Sequence, residues 1–365
     1  MGGEFWRGRR VLVTGHTGFK GGWLALWLQR LGAEVHGYSL APDAQSLYHA
    51  IDLPRSLAQD HHADLRDRDR LRQAMEIAQP EVIFHLAAQA LVRPSYRDPV
   101  ETFATNVVGT AQVLDLARAQ PSVRAIVVVT SDKCYENREW IWPYREDEHL
   151  GGADPYSASK GCAEIVAASF RRSYFASPES PFLATCRAGN VFGGGDWSAD
   201  RLIPDIARSI LADRPVVLRN PQSVRPWQHV LEPLRGYLMV AARLLRGEAA
   251  EAWNFGPSPQ AEIAVGELAN RVVALWGRGS VVIQQDPHAV HEARLLRLDS
   301  SKATQLLDWK PALSLDDGIR LTAEWYSASG QSPTQLAHLT ASQIDAYQRL
   351  VAPKPVSRQP ASELT

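Results

Sequence analysis

The sequence predicts an α/β fold: a doubly wound parallel sheet of Rossmann type with a smaller C-terminal substrate-binding lobe. Three observations predict it. Short apolar runs alternate with longer segments whose apolar residues recur at helical spacing. The runs are apolar almost without interruption, as strands covered on both faces are. A glycine-rich turn, "TGHTGFKG", follows the first run and opens a helical segment, an arrangement that lets backbone approach a diphosphate.

The predicted strands come in order at "RVLVTG" (10–15), "EVHGYSL" (34–40), a shorter run just before Asp64, "EVIFHLAA" (81–88), "AIVVVTS" (125–131) and "FLATCRAGNV" (182–191). Helical patterns lie between them at 23–31, 67–78, 101–119 and 156–174. Trp6, Trp23 and Trp27 take core-like positions around the first strand. After about residue 193 the rhythm changes: "FGGGDW" reads as a loop, "DRLIPDIARSILAD" as a helix and "PVVLRN" as a short strand. The expected division is a dinucleotide-binding domain over 1–190 that carries the catalytic residues, then a mainly substrate-binding lobe over 191–328. The chain has room to recross between the two. A C-terminal helix and tail follow over 329–365, and the end, "VAPKPVSRQPASELT", has the Pro- and Ser-rich composition of a partly mobile segment.

Bulk properties narrow the function. The 365 residues are 45% hydrophobic with a formal net charge of -1, enough for a large core and without the basic excess of a nucleic-acid or anionic-membrane binder. Cys134, Cys162 and Cys186 have neither disulfide nor zinc spacing and read as reduced thiols. No apolar run approaches the roughly 18–20 residues that span a bilayer. The opening "MGGEFWRGRRVLVTG" enters a strand at once and leaves no room for a secretory leader. A soluble, cytoplasmic protein is expected. The "DHH" at 60–62 lacks partner ligands at metal spacing and reads as surface, so no metal site is expected.

Gly15, Gly18 and Gly21 are spaced G-x-x-G-x-x-G, a pattern that resembles the extended branch of the short-chain dehydrogenase/reductase superfamily. The resemblance implies NAD(P) bound across the strand tips, with His16 and Phe19 in the turn itself. It implies adenine contacts at Asp64 and Leu65, and Ala87, Ala88 and Gln89 beside the nicotinamide ribose. The end of strand two departs from the NAD rule, carrying Ser39 where an Asp or Glu would hold the ribose hydroxyls. No Arg stands close by in sequence to clamp a 2′-phosphate, so NAD is the expected cofactor.

Tyr156 and Lys160 in "YSASK" are four apart at the start of a helix and share one face. An ammonium beside a phenol favours the phenolate, so the pair predicts a Tyr156 pKa lowered towards working pH. Tyr156 then serves as acid/base for a hydroxyl that becomes a carbonyl, with Ser131 at a strand tip as its partner. That accounts for reversible alcohol–ketone chemistry only. Asp132 and Lys133, beside Ser131 in "TSDKCYEN", add an acid and an amine. Once a sugar C4 hydroxyl is oxidised, the C5 proton is alpha to a carbonyl and the C6 hydroxyl is a beta leaving group. A base at C5 and an acid at C6 expel water, and the hydride can return to C6.

"TSDKCYEN" resembles the segment in which sugar-nucleotide 4,6-dehydratases carry Thr-Asp-Glu. With "LAAQALVRPSY", "RAGNVFGGGDW", "RPWQHVLEPL" and "HEARLLRLDSSKA", the chain resembles the CDP-glucose branch of those enzymes over nearly its whole length. Lys133 takes the place of the Glu base. It is a base only when neutral, and otherwise the acid or an enolate stabiliser, with Asp132 in the other role. The resemblance also implies that Asn190 and Arg225, with Arg201 as a second candidate, hold the nucleotide diphosphate, that Asp196 and Trp197 are substrate-binding, that Arg93 and Ser95 face the sugar, and that His291, Glu292 and Arg294 lie near the base or ribose. Tyr96 fits sugar or core equally. The implied substrate is CDP-glucose, and the implied assembly a homodimer or homotetramer built on the helices at 101–119 and 156–174. Alternatives are a dehydratase, 4-epimerase or 4-reductase for another nucleotide sugar, or a non-catalytic NAD-binding regulator. An epimerase has no need of Asp132 with Lys133, and a regulator usually loses Tyr156 or Lys160.

Overall fold

The computed structural model describes residues 3–218, 220–284 and 295–352. Strands β1 (Arg10–Thr14), β2 (Glu34–Ser39), β3 (Gln59–His62), β4 (Val82–His85), β5 (Ala125–Val129) and β6 (Phe182–Ala188) belong to one sheet. Three further strands, β7 (Asn190–Phe192), β8 (Val216–Leu218) and β9 (Val224–His229), lie outside it, and β10 (Ala252–Phe255) returns to its edge. The order across the sheet is β10-β6-β5-β4-β1-β2-β3, and every pairing is parallel. Val11 on β1 pairs with Val82 on β4 and Val35 on β2, so the winding reverses beside β1. In doubly wound sheets ligands bind in the crevice at that switch point.

The helices are α1 (Gly3–Trp6), α2 (Phe19–Arg30), α3 (Leu47–Ala50), α4 (Arg68–Ala78), α5 (Val92–Arg97), α6 (Pro99–Phe103), α7 (Gly109–Arg118), α8 (Pro155–Ser173), α9 (Leu202–Leu211), α10 (Leu231–Leu244), α11 (Val265–Trp276), α12 (Ser301–Leu307), α13 (Leu315–Ser327) and α14 (Pro333–Leu350). Strand side chains alternate between two cores. Val11, Val13, Phe84 and Val127 pack with Trp23, Leu24, Leu28, Leu231, Leu234 and Tyr347, which places α2, α10 and α14 on one face. Leu12, Ile83, Ile126 and Val128 pack with Leu71, Met75, Val113, Leu114 and Ala167, from α4, α7 and α8 on the other. This two-sided burial is why the strands lack polar alternation. Trp6, Trp23 and Trp27 are all buried, as expected.

Beyond the main sheet, β11 (Glu262–Ala264) pairs with β9, which pairs with β7, and β12 (Val281–Ile283) pairs with β8. Two predicted elements are divided. The segment at 182–191 bends at Gly189 between β6 and β7, where a Cβ would lie 3.0 Å from Pro226 Cγ. The helix predicted at 101–119 is interrupted by a π-helical turn, Ala104–Val108, between α6 and α7. That turn carries Asn106, whose amide bonds both the N–H and the C=O of Gln89, at 2.8 and 3.0 Å. A π-turn at such a point is a common way to aim one side chain out of a helix. Tyr96, left between sugar and core, is half exposed on α5 and is not a core residue.

Candidate active site

β1 delivers the chain into Gly15, whose φ of +80° is open to glycine at little cost. A Cβ on Gly15 would lie 2.7 Å from the Ala87 nitrogen, and one on Gly21 would lie 2.0 Å from the Gly15 carbonyl oxygen. The turn is therefore packed backbone to backbone against the end of β4. Gly18 is the N-cap of α2 and provides no side-chain cap, so the first-turn N–H groups are available to an anion. This cradle fits the diphosphate of a dinucleotide.

The rest of the dinucleotide crevice is built from paired groups. Ser39 and Thr17 share a hydroxyl–hydroxyl bond of 2.7 Å. Asp64 accepts from the Arg66 guanidinium at 2.6 and 3.0 Å, which holds its carboxyl below the usual range, and Leu65 is buried behind it. Ala87 donates its N–H to Thr14 Oγ1, while Ala88 and Gln89 are half-buried at the same strand tip. Phe19 packs against Gly193, where a Cβ would sit 3.2 Å from its ring.

His16 corrects the reading of "DHH" as surface. Its ring is fully buried, and Nε2 lies 2.7 Å from Asp60 Oδ1, with Tyr48 donating to the other oxygen. Gly37 makes room, since a Cβ there would meet the ring at 2.6 Å. Burial works to raise the Asp60 pKa, but the bonds from His16 and Tyr48 win and hold it low. His62 reaches the same Asp60 oxygen at 3.1 Å. One acid thus fixes the imidazole beneath the diphosphate turn.

The residues predicted to carry the chemistry lie where the turn after β5 meets α8. Ser131 caps a single 3-10 turn, Asp132–Cys134, by accepting the Lys133 N–H at 3.2 Å. The Ser131 hydroxyl donates to Asp132 Oδ1 at 2.9 Å. Asp132 is 3% exposed, and its Oδ2 has no hydrogen-bond partner among the described residues. Burial raises its pKa against the pull of Lys133, Ser131, Lys20 and Arg225. Lys133 is half-buried beside it.

Opposite, Asp154 caps α8 and Pro155 occupies its first turn, which presets the helix start. The Tyr156 N–H donates to the Ser95 hydroxyl at 3.1 Å, and Ser95 in turn donates to Val92 C=O. Ser95 is fully buried and stands behind the tyrosine backbone. Lys160 Nζ lies 3.4 Å from Val129 C=O, and burial lowers its pKa to about 8. The lowering of the Tyr156 pKa expected from Lys160 does not emerge. Burial instead pushes the phenol up to about 12, with Ser131 and Arg201 pulling against it. Desolvation of a phenolate outweighs these neighbours.

The predicted substrate residues line the other wall. Asn190 opens β7 and Arg225 lies buried on β9. Asp196 is buried and pairs with Arg201 at 3.0 Å, while Tyr326 donates to its backbone oxygen. Trp197 accepts from Arg208 through its carbonyl and meets Tyr326 edge-on. Arg93 pairs with Asp200 at 2.8 Å at the rim. His291, Glu292 and Arg294 lie outside the described residues.

Four residues escaped the sequence reading. Lys20, half-buried in the first turn of α2, lies in "TGHTGFKG", where the sequence reading rests on the glycines, His16 and Phe19. Asn106 ties the π-helical turn between α6 and α7 to the Gln89 turn and to Ser159 on α8, the latter at 2.8 Å. Glu164 and Arg187 form a buried ion pair below Lys160. Glu164 continues the Tyr156–Lys160 face by one more turn, a legible signal. Arg187 had none.

The profile of the GDP-mannose 4,6 dehydratase family matches residues 12–322. A CDP-glucose 4,6-dehydratase of Salmonella typhimurium is 49% identical over 332 residues, covering 89% of this chain and 92% of that one. The crystal structure of a dTDP-glucose 4,6-dehydratase from Streptomyces venezuelae with NAD and TYD bound superposes with a TM-score of 0.74 and 26% identity, over 87% of this chain and 97% of that one. The UDP-glucose 4-epimerase of Thermotoga maritima, 23% identical, superposes at 0.77 over 87% and 99% of the two chains, a likeness of fold alone.

Proposed function

The chain belongs to the GDP-mannose 4,6 dehydratase family, and on that premise we propose that it converts CDP-D-glucose to CDP-4-keto-6-deoxy-D-glucose with NAD as resident cofactor. The observation that carries this reading is the meeting of two functional sets where the turn after β5 faces the start of α8, through the Tyr156 phenol beside Ser131. Tyr156, Lys160 and Ser131 suit alcohol oxidation, and Asp132 with Lys133 suits elimination. The sugar and its nucleotide follow from the relative that is 49% identical.

NAD bound at the Gly15–Gly21 turn would supply the hydride acceptor for C4 and the donor for C6, with a proton returned to C5 as the hydride reaches C6. The protein handles the protons. Tyr156, as its phenolate, takes the proton of the C4 hydroxyl, Ser131 orients that oxygen, and the Lys160 ammonium stabilises the phenolate until the proton reaches it. With C4 a ketone, a base removes the C5 proton, the C5–H electrons form the C5=C6 bond, and the C6–O bond breaks. Asp132, whose buried carboxyl keeps a proton more readily than an ordinary one, delivers that proton to the departing hydroxyl. Lys133, beside it on the same turn, serves the C5 side of the step. Arg225, Arg201 and Asn190 hold the diphosphate through charge and amide donors. Arg93 closes the sugar side.

The assembly is a homodimer, or a homotetramer built from it. Val100, Phe103 and Val108 along α6–α7 and Ile165 on α8 are exposed apolar side chains on two neighbouring helices, the surface a second copy would cover. No helix among the described residues is long and apolar enough to cross a membrane. The three cysteines are unpaired thiols, in keeping with a cytoplasmic enzyme. The deciding experiment incubates the protein with CDP-, dTDP-, UDP- and GDP-glucose and measures product mass. Loss of one water from the CDP sugar is expected. Binding without loss of water from any of the four would overturn the assignment.

A further inference from the structure

His85, the last residue of β4, is a buried imidazole that the proposed chemistry leaves unused, and both of its ring nitrogens are bonded. Nδ1 lies 2.7 Å from the hydroxyl of Thr14, the last residue of β1, and Nε2 lies 3.1 Å from the hydroxyl of Thr110 on α7. The two strand ends stand side by side in the sheet, Thr14 opposite His85. The Thr14 hydroxyl also accepts the Ala87 N–H at 3.2 Å. On the other side, the Thr110 hydroxyl donates to the Asn106 C=O at 2.7 Å. One ring therefore joins the turn at Ala87 to the π-helical turn at Asn106.

The direction of each bond in this chain is fixed by its neighbours. Thr110 has one hydroxyl hydrogen and gives it to Asn106, so towards His85 it can only accept, and the ring proton sits on Nε2. In the neutral ring Nδ1 is then an acceptor, and Thr14 donates to it. Burial, with Lys160 adding to it, brings the His85 pKa down to about 3, so the ring is neutral in the working range. Asn106 continues the chain with its amide. Its Oδ1 accepts the Gln89 N–H at 2.8 Å, and Nδ2 donates to the Gln89 C=O and, at 2.8 Å, to the Ser159 hydroxyl. Ser159 donates in turn to the Tyr156 C=O at 2.7 Å. Thr14, His85, Asn106, Thr110 and Ser159 are all buried.

We propose that His85 is a positioning residue of the C4 oxidation: held as its Nε2–H tautomer, it locks the Ala87–Gln89 turn to the start of α7 and, through Asn106 and Ser159, to the backbone of Tyr156. This rests on the reading of that turn as the nicotinamide seat and of Tyr156 as the acid/base. In the oxidation the C4 carbon gives up a hydride and its oxygen a proton, so the two acceptors have to keep a fixed spacing. A buried chain in which each hydroxyl has a single permitted direction has one arrangement, and it ties both acceptors to one frame. A histidine that merely filled the core would contribute to stability and leave that spacing alone.

The test uses the full chain saturated with NAD, and Thr110→Val, which keeps the shape of that side chain and removes its hydroxyl. C4 oxidation is read in a single turnover with CDP-6-deoxyglucose, which has no leaving group at C6, through NADH absorbance well below the melting temperature. The rate is expected to fall by about 10–100-fold, with NAD affinity within about threefold of wild type. Thr110→Ser, which keeps the hydroxyl, is expected to restore the rate. NMR of the imidazole nitrogens in wild type, with His85→Gln identifying the signal, is expected to show a proton on Nε2 and none on Nδ1 across the working pH range. That measurement decides the tautomer should Thr110→Val fail to fold. An Nδ1–H or charged ring, a lowered melting temperature with the rate unmoved, or an equal fall in Thr110→Ser overturns the proposal. Failure of wild type to oxidise the sugar, with the Nε2–H ring observed, defeats the functional reading instead, a distinct result.

Discussion

Glu164 holds Arg187 through both carboxylate oxygens, with Nε to Oε1 at 2.9 Å and Nη2 to Oε2 at 2.8 Å, one helical turn below Lys160. Thr130 and Thr185 donate to the same two oxygens, so the tip of β5, the middle of β6 and the catalytic helix meet at one buried group. Burial works to raise the Glu164 pKa, and Arg187 overcomes it and holds the carboxyl low. The pair locks α8 to the sheet where Tyr156 and Lys160 must face Ser131.

Glu164→Gln leaves the Arg187 charge buried without its counter-ion and is expected to cost about 3–5 kcal/mol. Urea unfolding of the variant measures it. The folded-state pKa of Glu164 is depressed, so its stabilisation is complete above the unfolded carboxylate pKa. It is lost as pH falls through the lower folded value. The wild-type stability advantage over the variant should therefore shrink only in acid, below the ordinary glutamate range.

Gly21→Ala and Gly18→Ala should behave differently although both alter the same turn. The Gly21 Cβ would collide with the Gly15 carbonyl at 2.0 Å, so overpacking should cost about 3 kcal/mol and NAD binding together. Gly18 has ordinary φ, and its Cβ would approach the Gly15 oxygen only to 3.3 Å, on an exposed surface. That variant should melt near wild type and yet bind NAD about tenfold more weakly, because the methyl group occupies the diphosphate approach. Thermal melts and NAD titration separate the two.

Tyr156→Phe removes the proton acceptor while leaving the Tyr156 backbone bond to Ser95 in place. C4 oxidation should fall by about 10²–10⁴-fold with NAD affinity retained. A comparable fall in NAD affinity would mean that the phenol serves binding.

Asp132→Asn and Lys133→Met divide the elimination. Solvent deuterium exchange at C5 should survive in Asp132→Asn with water loss suppressed, and should fail in Lys133→Met. Exchange at the full wild-type rate in Lys133→Met would remove Lys133 as the C5 base.

The local features were legible in the sequence for a physical reason. Strand and helix periods, the glycine spacing around Gly15, and a Tyr and Lys four apart each express backbone geometry within a few residues, so a window of sequence contains the whole signal. That determined the sheet and the cofactor turn, and it singled out Ser131, Asp132, Lys133, Tyr156 and Lys160 as the candidates for the chemistry.

Tertiary structure decided what depends on neighbours distant in the chain. It set Asp60 under His16, where sequence spacing suggested only surface. It buried Ser95 behind Tyr156 and paired Arg187 with Glu164. It raised the Tyr156 pKa where the adjacent lysine predicted the opposite, because the cost of desolvation depends on how deeply a group is packed and not on which residue stands four places away. It also docked the start of α2 on the loop before Asp196, through the Trp23 bond to Gly194. No period or motif records that proximity, because it exists only once the sheet has closed around the site.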